Sequence, residues 1–138
     1  MAEGIITRYA RIRARAESLR LGMRKLNLKF EIDEADMCSI LTTVRVPPAI
    51  SVRDLCDLLR QKSIIIYEGK GCFAGKVFQV GNIGELSDRD IRYFLKSLRE
   101  ALLTLHVEAA DLVVPIRPNV PNLMIVPFLP TALEEVGA

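Results

Sequence analysis

Two short apolar runs, 63–67 (Ser-Ile-Ile-Ile-Tyr) and 76–80 (Lys-Val-Phe-Gln-Val), flank a segment containing Gly69, Gly71 and Gly75. Short β-branched and aromatic runs of this kind read as strands, and the glycines between them as a flexible hairpin loop. A sheet is therefore expected in the middle of the chain, and the patterns on either side must pack against it. Residues 39–46 (Ser-Ile-Leu-Thr-Thr-Val-Arg-Val) read as another strand, stopped by Pro47-Pro48. Ser51 then reads as an N-cap with Asp54 three residues on, opening a helix over 52–61 with Val52, Leu55, Cys56, Leu58 and Leu59 inward. After the second run, Gly81-Asn82-Ile83-Gly84 reads as a turn. Ser87 caps the next helix, with Asp88 and Asp90 in its first turn, where acids favour the helix dipole. That helix is expected to run to about Leu105, with Ile91, Phe94, Leu95, Leu98, Leu102 and Leu105 on its apolar face.

The N-terminal stretch carries Ile5, Tyr9, Ile12, Ala16, Leu19, Met23 and Leu26 at alternating steps of four and three. That period places them on one helix face, toward a core or a coiled-coil partner. Gly22 inside this helix is either a flaw or a point of close packing. Residues 28–32 alternate as a short strand would. The element order α–β–α–β–β–α predicts an α+β fold: a mainly antiparallel sheet of three to four strands, with helices 5–26, 52–61 and 88–105 on one face. Five of the seven prolines fall within 115–130. The chain therefore reads as a domain over 1–106 and a Pro-rich C-terminal extension over 107–138, an arm that packs on the body or on a partner.

Several functions are disfavoured at this level. No apolar run approaches the roughly 18 residues of a spanning helix, and Met-Ala-Glu-Gly does not open a secretory signal. Three cysteines (Cys38, Cys56, Cys72) at no metal spacing read as reduced thiols, so a cytoplasmic chain is expected. A single histidine, His106, argues against a multi-histidine metal site; at the end of the last helix it reads as a partner for the dipole. The net charge of +2 is uneven, because residues 1–31 hold eight Lys/Arg against three acids. A basic helix can attract a polyanion, but no second helix or stacking aromatics accompany it, which argues against nucleic acid as the partner.

The run Ile64-Ile65-Ile66-Tyr67-Glu68-Gly69-Lys70-Gly71, followed by Val77-Phe78-Gln79-Val80-Gly81-Asn82-Ile83-Gly84-Glu85-Leu86, resembles the small C-terminal domain of class V, fold-type I aminotransferases. The branch it most resembles is 2-aminoethylphosphonate–pyruvate transaminase. Arg8-Tyr9-Ala10-Arg11 with Leu19-Arg20-Leu21-Gly22-Met23 resembles the helix linking the large and small domains of that family, and Leu41-Thr42-Thr43 with Pro47-Pro48 its first small-domain strand. The resemblance implies a pyridoxal-phosphate enzyme that exchanges an amino group between an amino donor and a keto acid. It also implies that the Schiff-base lysine, the aspartate on the pyridinium nitrogen and most of the phosphate cup belong to a large domain that this sequence does not contain. No cofactor is therefore expected on this chain alone; the expected partners are such a large domain or a second copy in a homodimer. Lys70 and Lys76 flank a glycine loop with no helix start behind it to hold a phosphate. The family places a substrate-clamping arginine between the residues that match Phe78 and Val80. Here Gln79 occupies that position, offering neutral hydrogen bonds in place of a charged fork. Gln79 is the one candidate substrate-binding residue, with no catalytic, cofactor-binding or metal-binding residue expected.

Overall fold

The computed structural model describes residues 3–112, with side chains through His106. The extension called from sequence lies outside the described residues from 113 onward. Helix α1 spans Ile5–Lys25, strand β1 Leu41–Arg45, helix α2 Val52–Gln61, strand β2 Tyr67–Glu68, strand β3 Val77–Gly81 and helix α3 Asp88–Leu112. The sheet is antiparallel with order β1-β3-β2. Alternation divides its residues between two faces. Val44, Phe78 and Val80 join Leu19 and Met23 of α1, Leu55 and Leu59 of α2, and Leu98 and Leu102 of α3 in one buried cluster. The α+β expectation therefore holds, with a three-stranded sheet and the core on its helical side.

Local chemistry explains the helix starts. The Ser51 hydroxyl accepts from the Asp54 backbone N–H, and the Ser87 hydroxyl accepts from that of Asp90 while the Asp90 carboxylate receives the Ser87 N–H. Gly22 is a point of close packing: a Cβ there would stand 2.2 Å from Leu95 Cδ1. Arg20, buried in α1, donates to the Thr42 hydroxyl and to the Cys38 and Leu41 carbonyls, tying the helix to the entry of β1. Buried Asn82 donates to the Ile12 and Ser39 carbonyls and so joins the turn after β3 to α1.

Four sequence expectations need correction. The apolar stripe of α1 is buried only from Ala16 onward; Ile5 is 88% exposed and Tyr9 57%. Arg11 pairs with Glu85 and Arg15 with Asp88, so the N-terminal turns lie beyond the start of α3, with no core beneath them. Residues 28–32 form no strand: Phe30 makes one isolated bridge to Val44, flanked by the Glu31 N–H to Thr43 O and Arg45 N–H to Lys29 O bonds. The run 63–67 is not a buried strand. Ser63 takes a left-handed φ of 62°, and the Ile64 N–H closes back on Leu59 O of α2, so pairing with β3 begins only at Tyr67. Finally, α3 continues past Leu105 to Leu112.

Candidate functional site

The face of the sheet opposite the helices carries the position singled out in the sequence. β3 lies between the other two strands, and Gln79 pairs with Thr43 on β1 and with Tyr67 on β2. Residues paired in register share a face, so Thr43, Gln79 and Tyr67 form one row across all three strands. The Gln79 amide donates to the Thr43 hydroxyl at 3.4 Å. Thr43 is buried, Gln79 half-buried and Tyr67 63% exposed, so the row opens toward its β2 end. In the next row Arg45 belongs to the same face, and its guanidinium is taken by Glu31 at 2.6 Å. The row therefore offers hydroxyl and amide groups, while the neighbouring cation is already neutralised.

Gly69 holds β2 in place beside this face. Its N–H donates to the Val77 carbonyl, and a Cβ on it would stand 2.5 Å from Val77 Cγ2 and 2.7 Å from the Phe73 carbonyl oxygen. The glycine loop then makes a single 3-10 turn, Gly71–Phe73, between Lys70 and Lys76. Sequence reasoning found Gln79 but missed Thr43 and Tyr67 as its neighbours. Only the strand register reveals them, and the run around Tyr67 gave no indication of where pairing begins.

A second concavity, of about 490 Å³, lies where β2 and β3 diverge, between Ile64–Ile66, Val80–Asn82 and the first turns of α3. Its wall is mainly aliphatic, with Lys62, Ser63, Asp90 and Tyr93 among its polar members. Lys62 is committed to Glu100, and the Tyr93 hydroxyl donates to the Lys62 carbonyl. The Glu100 carboxyl is held below its usual range, first by its hydrogen bond from Lys62. Asp90 is likewise held low, first by the Ser87 hydroxyl. These groups fasten α2 to α3 and cap α3. Cys56, buried beside this region, has its thiol pushed up by burial, which makes it a poor nucleophile.

Among the described residues no group of three metal-ligating side chains occurs, and no helix is long and apolar enough to cross a membrane. Pyridoxal phosphate, implied by the resemblance, needs an enclosed lysine and a phosphate cradle. Lys25, Lys29, Lys70, Lys76 and Lys96 are exposed, and Lys62 is ion-paired. The starts of α2 and α3 are occupied by their own Ser and Asp caps. The described residues do not fit a resident pyridoxal phosphate.

No family model matches the chain. It is 31% identical over 109 residues to the (S)-ureidoglycine–glyoxylate transaminase of Bacillus subtilis, covering 77% of this chain and 26% of that protein. It is 32% identical over 96 residues to the 2-aminoethylphosphonate–pyruvate transaminase of Lactiplantibacillus plantarum, covering 68% and 26%. The chain thus spans about a quarter of the length of these relatives. The crystal structure of the ureidoglycine–glyoxylate aminotransferase from Bacillus subtilis matches with a TM-score of 0.72 at 25% identity, over 99% of this chain and 32% of that one. An alanine–glyoxylate aminotransferase from Nostoc shares the fold, with a TM-score of 0.69 over 72% of this chain and 27% of that one.

An antiparallel three-stranded sheet backed by three helices, matched across these proteins, defines a C-terminal part of the class V aminotransferases. The homologues that place this chain there are ureidoglycine–glyoxylate and 2-aminoethylphosphonate–pyruvate transaminases, members of a pyridoxal-phosphate-dependent family.

Proposed function

We propose that this chain is the C-terminal domain of a class V aminotransferase-like protein and is catalytically silent by itself. In the complete assembly it presents the Thr43–Gln79–Tyr67 row toward a substrate held on a pyridoxal-phosphate domain of another polypeptide segment. The observation that carries this reading is the mismatch between fold and chemistry. The fold is that of an aminotransferase part, but every lysine in the described residues is either exposed or ion-paired. The cofactor, when bound by the complete family fold, supplies the electron sink for amino-group transfer. What this chain contributes is orientation through a neutral row of hydrogen-bonding groups. Incubation of the chain with pyridoxal phosphate, 2-aminoethylphosphonate and pyruvate, or with alanine and glyoxylate, is expected to give no transamination. Turnover proportional to chain concentration overturns the proposal.

A second reading is supported by the exposure of Ile5, Ile6, Tyr9, Ile65 and Tyr67. Monomers rarely leave large contiguous apolar patches uncovered. In this reading the chain is a non-enzymatic module that uses the same fold to dimerise or to bind a partner. Its location in the cytoplasm is part of both proposals.

A further inference from the structure

Asn82 leaves one end of its side chain unsatisfied at the wall of a cavity. It is 2% exposed and belongs to the lining of the concavity of about 490 Å³ between β2, β3 and α3. Its Nδ2 donates to the Ser39 carbonyl at 2.9 Å and to the Ile12 carbonyl at 3.4 Å. Neither of those residues lines the cavity. Oδ1, the other end of the amide, is shielded from bulk solvent and has no hydrogen-bond partner. The amide cannot turn round to relieve it, because that would set its oxygen against two carbonyl oxygens. Buried acceptors are nearly always paired, so a lone one at a cavity wall marks a place for a donor.

The rest of the lining says what kind of molecule brings that donor. Ile64, Ile66, Val80, Leu86 and Phe94 give the cavity a hydrocarbon surface. The two charged side chains on its wall are engaged, Lys62 by Glu100 and Asp90 by the N–H and hydroxyl of Ser87. The Tyr93 hydroxyl donates to the Lys62 carbonyl. An ion entering here would lose its hydration without gaining a free counter-charge. We propose that the cavity binds a small neutral molecule with a hydrocarbon body and one hydroxyl, an alkanol or a phenol, whose O–H donates to Asn82 Oδ1. Its volume is within the range of small-ligand pockets. Thr43, Gln79 and Tyr67 do not line it, so this site is separate from their row.

The test titrates the intact, isotope-labelled chain with p-cresol and with p-xylene, which has the same shape with a methyl in place of the hydroxyl, and follows the amide NMR signals. p-Cresol is expected to shift the Ile65, Gly81 and Asn82 amides saturably and to bind about three- to tenfold more tightly than p-xylene, the worth of one net hydrogen bond. Leu86→Trp, which places a larger ring in the wall, should abolish these shifts with unchanged helical circular dichroism. If that variant loses its fold, Ile65→Trp at the exposed rim provides the same comparison. Absence of saturable shifts with p-cresol overturns the proposal and leaves Asn82 Oδ1 to a buried water. Equal or tighter binding of p-xylene overturns it by removing the bond to Oδ1, and shifts unaltered in a folded variant overturn it by placing the ligand elsewhere.

Discussion

Gly69 shows how one residue without a side chain sets the spacing of the open sheet face. Its N–H bonds Val77, and the space for a Cβ is taken by the Val77 methyl and by a backbone oxygen of Phe73. A backbone oxygen cannot rotate away as a side-chain tip can, so Gly69→Ala must move either the loop or β2. A destabilisation of about 1–3 kcal/mol is expected, the usual cost of overpacking. Urea unfolding of the variant checks it, and a midpoint equal to that of the parent chain would show that the loop yields freely. Residues of this kind were only partly legible in the sequence. The composition of 69–75 announced a loop, and Gln79 stood out by departing from the family's motif. Nothing local showed that Thr43, 36 residues away, holds the Gln79 amide, because that contact exists only through the β1–β3 register.

Among the elements, α2 and α3 were the most legible, since each combines a serine cap with an apolar face at helical spacing. β2 was the least. Its three isoleucines have strong strand propensity, but the end of α2 and the left-handed Ser63 use the chain before pairing can start. For α1 the period was right and the burial was not, because period reports a face and not the length of the core behind it. The α3 cap and two ion pairs, one before α3 and one on it, also set a pH dependence. Asp90 is held low chiefly by the Ser87 hydroxyl, Glu85 by Arg11 and Glu100 by Lys62. Each has a folded pKa below its unfolded value, which lies near 4 for carboxylates. The unfolded chain therefore binds more protons in this range, and the stabilisation, complete above the unfolded pKa, is lost as pH falls through the folded pKa. The urea midpoint should drop as pH is lowered from about 5 to about 3. Asp90→Asn should make that acid limb shallower. An unchanged limb in this variant would remove Asp90 from the account.

For the whole molecule, the sheet is covered by helices on one side, while Ile65 and Tyr67 near its open edge and Ile5, Ile6 and Tyr9 on α1 remain exposed. A two-fold homodimer is the simplest assembly of identical chains that covers such surfaces. Light scattering on the intact chain should give a mass near twice that of one chain, and a clean monomer down to low micromolar concentration contradicts the dimer. We propose that this chain carries no cofactor chemistry of its own. The most direct test is to incubate the chain with pyridoxal phosphate, reduce with borohydride and map the lysines by mass spectrometry. Only sparse labelling spread over the exposed lysines is expected. A stoichiometric adduct on one particular lysine contradicts it.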